Sequence, residues 1–256
     1  MSFPKNLYQD YPELNWAILL GYRGSLAHGT YIPNDDPNSI DDKDVIGVCI
    51  PPIDYYYGLK TFGSRGTKEI KKNEWDIVLF EFVKTVKLLE KGNPNVLSIL
   101  WLESNHYIKV TPIGQILIDN RNLFVGKHVY HSFVGYAHNQ LNRMTHISCK
   151  GYMGQKRKAL VEKFGYDCKN AAHLVRLLRM GIEFLNEGRL YIKRPDAQQL
   201  MEIKRGEWSL EEIKAEAGRL FVSAETAYIL SKLPEKLDME KINQLCVDIA
   251  KMNLDV

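Results

Sequence analysis

Short apolar runs separated by turn residues dominate the first hundred residues of the chain. Each run is only a few residues long and almost continuously apolar, which predicts buried strands. Residues 55–72 are rich in glycine and lysine and predict an exposed hairpin before the third strand. The predicted strands lie at residues 17–20, 45–50 and 75–80.

The second half of the chain has the three-to-four-residue spacing of apolar positions that indicates helices. One of these helices begins after Ser209, because Glu212 three residues later completes a capping box. Another, at residues 170–187, ends at Gly188, the residue type that most often follows a helix. The predicted helices lie at residues 81–91, 129–144, 170–187, 210–217 and 239–251.

A break in this pattern at Thr111 and Pro112 predicts a domain boundary near residues 110–114. We therefore expect an α+β fold with two domains. Residues 1–110 would form a mixed sheet with flanking helices, and residues 111–256 a helical C-terminal domain.

Composition and charge exclude several classes of protein. The chain has 256 residues, 45% of them hydrophobic and 25% charged, as in ordinary globular proteins. A net charge of +3 is too small to indicate nucleic-acid binding by itself. No apolar run approaches the roughly 20 residues that span a membrane, and the first residues lack a signal-peptide core. The four cysteines have no C-x-x-C spacing, so we expect reduced thiols in a cytoplasmic protein.

The candidate chemistry begins where the first predicted strand ends. Gly24 and Ser25 are small residues that let a backbone come close to a phosphate. Seventeen residues after Ser25, Asp42 and Asp44 open the second strand, where positions i and i+2 share a face. Two ionised carboxylates at one spot repel each other unless a cation lies between them. This pattern predicts a site for Mg²⁺ or Mn²⁺, since such ions bind carboxylate and phosphate oxygens together.

Two neighbouring residues leave alternatives open. Asp41 also precedes the strand and could replace one of the two ligands, although it would point to the opposite strand face. Arg23 flanks the Gly-Ser turn, where it would suit a phosphate or an exposed surface equally well.

The chain resembles the nucleotidyltransferase superfamily, which includes DNA polymerase beta. The signature of that superfamily is a strand followed by Gly-Ser, a connection, and Asp-x-Asp at the start of a second strand. The chain is more closely similar to the predicted, uncharacterised nucleotidyltransferases of bacteria and their phages. This resemblance spans roughly residues 19–211. The segments that carry the closer similarity are Gly92-Asn93-Pro94-Asn95, Val129-Tyr130-His131-Ser132-Phe133, Gly165-Tyr166-Asp167-Cys168-Lys169 and residues 173–178.

The resemblance implies transfer of a nucleoside monophosphate from an NTP, with release of pyrophosphate. Two metal ions about 3.5–4 Å apart would stabilise the attacking and leaving oxygens, which takes a third carboxylate. Asp76 is the expected third acid, because it opens an apolar strand as the superfamily's third acid does. Glu74 and Glu81 are its competitors.

A second group of candidate residues lies on the helix predicted at residues 170–187 and just before it. Lys169, His173 and Arg176 fall within an arc of about 60° on one helix face. Arginine can clamp two phosphate oxygens at once, so this face would suit a triphosphate. A solvent-exposed basic face is the alternative, and the resemblance favours nucleotide binding.

We therefore expect a metal-dependent nucleotidyltransferase with an NTP as substrate and a hydroxyl of RNA, protein or a small molecule as acceptor. Ser98 stands near a position where the family often has an acid, which keeps a catalytically silent nucleotide or RNA sensor open. A two-metal phosphohydrolase is the other alternative, because water can replace the acceptor hydroxyl.

Overall fold

The computed structural model describes residues 3–33, 35–36, 39, 41–145 and 155–254. Cys149, one of the four cysteines, lies outside these residues. The described part of the chain contains strands and helices up to residue 119 and helices from residue 129 onward.

One five-stranded mixed sheet organises the first part of the chain. Its strands are β1 (Ala17–Tyr22), β2 (Lys43–Cys49), β3 (Thr67–Lys72), β4 (Trp75–Glu81) and β5 (Tyr107–Val110). They are arranged in the order β3-β4-β2-β1-β5. Only the β2/β4 pair is parallel, and the other neighbours are antiparallel. The predicted α+β fold with a mixed sheet is therefore confirmed.

Side-chain alternation separates the two faces of this sheet. Val45, Ile77 and Ile70 are fully or almost fully buried in one hydrophobic cluster on the first face. Asp44 and Asp76 are adjacent in sequence to Val45 and Ile77, so they project from the second face. Each is the second residue of its strand. The alternation thus brings both acids to one face, near the same end of the sheet.

The described residues contain eleven α-helices. None of them is both long and apolar enough to cross a membrane. They are α1 (Leu7–Asp10), α2 (Gly24–His28), α3 (Phe82–Glu90), α4 (Pro94–Leu97), α5 (Pro112–Asp119), α6 (Val129–Thr145), α7 (Gln155–Phe164), α8 (Cys168–Glu187), α9 (Ala197–Lys204), α10 (Leu210–Leu230) and α11 (Met239–Leu254).

By their contacts, the residues form two compact units that are each discontinuous in sequence. The first unit contains the sheet and the C-terminal helix α11. The second contains helices α6–α10 and a segment that comes between β1 and β2 in the sequence. The first unit comprises Met1–Ala27, Asp42–Phe124 and Leu237–Val256, and the second His28–Asp41 and Val125–Lys236.

The domain boundary predicted near residues 110–114 lies where β5 ends at Val110 and α5 begins at Pro112. Thr111 is the N-cap of α5, and its hydroxyl accepts a hydrogen bond from the backbone N–H of Gly114. Pro112 occupies the first helical position, where a missing N–H costs nothing. Thr111 and Pro112 therefore begin a helix. In a sequence alone, a proline that starts a helix looks the same as a proline that interrupts a pattern.

The capping box predicted at the start of α10 is present. The hydroxyl of Ser209 accepts a hydrogen bond from the backbone N–H of Glu212, and the Glu212 carboxylate accepts one from the backbone N–H of Ser209. The helix continues to Leu230, well beyond the predicted end at residue 217.

Candidate active site

Asp44 and Asp76 face each other across the parallel β2/β4 pair. An arginine bridges them: Nη2 of Arg23 lies 3.4 Å from Oδ1 of Asp44 and 3.8 Å from Oδ2 of Asp76. All three side chains are about one-quarter exposed, at 24–25%. The site is therefore an open pair of carboxylates whose mutual repulsion is offset by one guanidinium.

The turn after β1 brings its backbone against Asp44. The backbone N–H of Arg23 donates a hydrogen bond to the carbonyl oxygen of Asp44 at 3.0 Å. Gly24 has a φ of +60°, and a Cβ there would lie 2.3 Å from Oδ2 of Asp44. Ser25 follows directly, in the short helix α2 that Gly24 opens. Only glycine fits this position, since it tolerates both the left-handed backbone and the close carboxylate.

We expect Gly24→Ala to lower any activity that depends on Asp44 by about a hundred-fold, because the new methyl displaces that carboxylate. The positive φ adds about 1–3 kcal/mol of strain. Steady-state kinetics and thermal unfolding measure the two effects. The matched control is Gly29→Ala, since Gly29 has a φ of +74° but its Cβ would only touch Ala197 at 3.7 Å. Equal losses of activity in the two variants would contradict the role assigned to Gly24.

The other acids near the motif have different surroundings. Asp42 is exposed and lies just outside β2, while Asp41 is buried and belongs to the second unit. The Glu74 carboxylate accepts a hydrogen bond from Nζ of Lys43 at 2.5 Å. Among the described residues, no group of three or more His, Cys, Asp or Glu side chains is close enough to hold a metal ion. The compact part of the site is therefore the Asp44–Asp76 pair.

Glu81, the other competitor for the third acid, is the N-cap of α3. Its carboxylate accepts hydrogen bonds from the backbone N–H groups of Val83 and Lys84 at 2.8 and 2.9 Å. It also accepts one from the hydroxyl of Tyr56 at 2.9 Å. Because Glu81 is five residues beyond Asp76 on the same strand, it lies at the opposite end of β4.

The residues present suit a divalent cation bound together with phosphate. Two carboxylates are the usual protein share of such a site, because Mg²⁺ takes its other ligands from water and substrate phosphates. The Nε–H of Arg23 is buried and has no hydrogen-bond partner among the described residues. An unsatisfied buried donor of this kind is costly, and a phosphate oxygen would satisfy it.

In the second unit, the three residues predicted to form a basic face on α8 have different surroundings. Lys169 is 22% exposed and lies 3.6 Å from Oδ1 of the buried Asp41. Arg176 is buried, and its Nε has no hydrogen-bond partner among the described residues. Burial, and then the charge of Arg194, lowers the pKa of Arg176 to about 10. Its Nη1 contacts the sulfur of Met180 at 3.2 Å.

His173, the third of these residues, lies among cations. Burial lowers its pKa well below 6.5, and the positive charges of Arg176, Lys169 and Lys204 lower it further. The imidazole is therefore neutral at pH 7. Together these residues form a region of the second unit in which positive charge exceeds negative charge, and we call Lys169, His173, Arg176 and Lys204 the cationic cluster.

We expect the protein to lose stability below pH 6.5 through His173. A folded-state pKa below the unfolded value of 6.5 means that the unfolded chain binds the proton more readily. Unfolding free energy therefore falls with decreasing pH from 6.5 down to the folded-state pKa, by at most about 1.4 kcal/mol per pH unit. Urea unfolding between pH 5 and 8 measures this slope. It should flatten in His173→Gln and persist in His131→Gln, whose side chain is exposed; an unchanged slope in His173→Gln would contradict the assignment.

An ion-pair network in the same unit was not foreseen from the sequence. Arg194 binds Glu183 and Asp196, and Arg179 binds Asp196 and Glu216, with N–O distances of 2.5–2.8 Å. Burial raises the pKa of Asp196, but hydrogen bonds from both arginines outweigh it, so that pKa lies below its ordinary value. This network joins α8, α9 and α10. No spacing in the sequence links residues so far apart, and only the folded chain reveals it.

A sequence profile of the RlaP family, described as the RNA repair pathway DNA polymerase beta family, matches residues 16–248. The chain therefore belongs to this family, and the predicted membership of the nucleotidyltransferase superfamily is confirmed.

Among solved structures, the chain is similar to the nucleotidyltransferase-like protein from Exiguobacterium sibiricum 255-15. The two sequences are 10% identical, the match covers 97% of this chain and 79% of the other, and the TM-score is 0.30. No curated protein matches the chain.

Proposed function

We propose that the first unit transfers a nucleoside monophosphate from an NTP to an acceptor hydroxyl. The observation that carries this proposal is the Asp44–Asp76 pair, held on adjacent strands with Arg23 between the two carboxylates. Membership of a DNA polymerase beta family supports the reaction class.

Three acids of the first unit would bind the metal ions and activate the acceptor hydroxyl. Asp44 and Asp76 would hold Mg²⁺ or Mn²⁺, with the exposed Asp42 as a further ligand. When bound, such ions neutralise charge that develops on the phosphate oxygens. Asp76 would accept the proton of the attacking hydroxyl or orient that hydroxyl. Asp76 is preferred to Glu74 and Glu81 for this role, because it alone of the three is paired with Asp44.

Phosphate binding would fall to the turn after β1. Gly24 and Ser25 let the backbone approach the phosphates, because glycine carries no side chain and serine a short one. Arg23 would turn its unsatisfied Nε–H to a phosphate oxygen. A charge-assisted hydrogen bond of this kind is about twice as strong as one between neutral groups.

The cationic cluster of the second unit would bind phosphate oxygens as well. Arg176 is buried with an unsatisfied Nε–H, and its lowered pKa reports that no nearby acid compensates it fully. Lys169 is partly exposed and would offer its ammonium to the same anion. His173 would donate a hydrogen bond from its neutral ring.

A nucleotide sensor without catalytic activity is the second candidate. It is favoured by one observation: within the described residues, the two paired acids are not joined by a third close enough to complete a metal cluster. The sensor would bind an NTP at the same turn and leave it intact.

The test incubates the purified protein with each of four α-³²P-labelled NTPs, Mg²⁺ or Mn²⁺, and a cell lysate that supplies RNA, protein and small molecules. We expect label in one of these fractions together with free pyrophosphate. Free labelled NMP alone would instead indicate the phosphohydrolase. NTP binding without any product would favour the sensor and overturn the transferase proposal.

A further inference from the structure

A pocket in the first unit combines aromatic rings with cations, away from the two carboxylates. It has a volume of about 410 Å³, within the usual range for ligand sites. Its lining is mostly apolar and includes Tyr55, Tyr56, Phe62 and Val83. Lys60 and Arg65 supply positive charge to the same lining. Aromatic rings beside cations are the elements with which proteins bind single-stranded nucleic acid, through stacked bases and paired phosphates.

One cation beside the pocket has no acidic partner in the part of the chain that the structure describes. Residues 60–72 contain five lysine or arginine residues and one acid, Glu69. Lys60 pairs with Asp54 at 2.5 Å, Lys68 with Glu13 at 3.1 Å and Lys72 with Asp10 at 4.0 Å. No ion pair within the described residues involves Arg65, which is exposed. Arg65 is therefore available to a phosphate at the edge of the pocket.

Glu81, the acid that lines the pocket, repels a polyanion only weakly. Both carboxylate oxygens of Glu81 accept hydrogen bonds, from the first N–H groups of α3 and from the hydroxyl of Tyr56. A carboxylate at a helix N-terminus is also offset by the helix dipole. The ring of Tyr55 packs edge-on against Trp16, with centroids 5.3 Å apart, which fixes its orientation. Nζ of Lys60 lies over one face of this ring, 5.7 Å from its centroid, so a base would stack on the other face.

Exposed apolar residues extend the surface beyond the pocket. Tyr57 is 78% exposed, and Leu59 is fully exposed on the same loop. A protein partner would prefer a contact area whose centre is depleted of charge. Here cations alternate with aromatic residues along the segment, as is typical of a groove for single strands.

We propose that this pocket binds a segment of single-stranded nucleic acid, with a base against Tyr55 and a phosphate at Arg65. Identifying that strand as the acceptor rests on the proposed transferase function, whereas its binding does not. The site would recognise stacking and backbone charge, and would therefore tolerate many sequences.

Fluorescence anisotropy with a labelled 12-nucleotide RNA, in the absence of NTP, tests the proposal. We expect wild-type binding that weakens with salt, and weaker binding of the same RNA as a duplex. Arg65→Asn should weaken binding and lower the salt slope by about one, since one phosphate contact is lost. Asparagine accommodates the φ of +52° at this position. Lys87→Gln removes an equal charge from an exposed position on α3 and should bind as wild type does.

The aromatic contribution has a different signature. Tyr55→Leu should weaken binding by about five-fold or more at every salt concentration with an unchanged slope, because stacking does not involve ions. Tyr55→Phe keeps the ring and should bind like the wild type. Single-stranded DNA of the same sequence is measured in parallel; tighter binding of RNA identifies RNA as the ligand, and equal binding extends the site to both.

Several outcomes would overturn the proposal. The first is an absence of RNA binding by the wild type, which would favour a protein as the partner of the exposed apolar residues. The second is an equal loss of RNA binding in Arg65→Asn and Lys87→Gln. If Tyr55→Leu unfolds, Arg65→Asn decides alone. Asp44→Asn should bind the RNA normally, so loss of transfer with intact binding would remove the proposed reaction and not this site.

Discussion

Asp44→Asn is expected to abolish nucleotide transfer while the protein remains folded. The substitution keeps the shape of the side chain but removes the charge that faces Asp76 across the β2/β4 pair. Asparagine is a poor ligand for a divalent cation compared with a carboxylate, so the developing charge on phosphate loses its stabilisation. We expect a loss in kcat of at least about a thousand-fold, or about 4 kcal/mol of transition-state stabilisation.

The fold should tolerate this change, because the side chain of Asp44 is 25% exposed and its pairing with Arg23 is loose. Circular dichroism and the melting temperature check this. Glu74→Gln is the matched control, since it removes an equal charge at the same end of β4. It should keep activity within a few-fold of wild type. Near-normal turnover in Asp44→Asn would remove the carboxylate pair from the mechanism.

The part of this site formed by Gly24 and Asp44 could be predicted from the sequence because its determinants are local. The strand pattern before Gly24 and after Asp44 fixes where the turn and the acids lie, and alternation fixes the face to which they point. The order of the strands in the sheet could not be predicted from the alternation of apolar and polar residues. The parallel pairing that sets Asp76 opposite Asp44 depends on which strands become neighbours. Asp76 was therefore expected from the resemblance and not from the chain's own spacing.

The role of Asp41 could not be predicted for a related reason. Asp41 precedes β2, which begins at Lys43, so strand alternation does not determine its direction and nothing local identifies its partners. In the folded protein Asp41 accepts hydrogen bonds from Nζ of Lys204 and from the backbone N–H of Ile32. Lys204 is 163 residues away in sequence, so no periodicity connects the two residues. Sequence patterns report local geometry, and ion pairs between distant residues form only when the chain folds.

Asp41→Asn is expected to give the largest loss of stability among single polar substitutions in the second unit. The side chains of Asp41 and Lys204 are only 1% and 6% exposed. Removing one partner of such a pair leaves an uncompensated buried charge, which costs about 3–5 kcal/mol. Lys169, 3.6 Å from the same carboxylate, loses its attraction as well. The amide oxygen of asparagine keeps the hydrogen bond from Ile32, so the loss reports the charge itself.

Thermal unfolding measures the loss of stability in Asp41→Asn. A double variant shows whether the loss comes from the uncompensated charge of Lys204 or from poor packing. Asp41→Leu combined with Lys204→Met removes both charges, and replacing a buried ion pair with apolar residues is often neutral. The double variant should therefore melt well above Asp41→Asn. At about 2–4 °C per kcal/mol, the single variant should melt roughly 6–20 °C below the wild type. Asp119→Asn, a change of equal charge at an exposed residue, should melt with the wild type. If Asp41→Asn did so too, the buried pair would not be what holds Thr30 and Asp41 against α9.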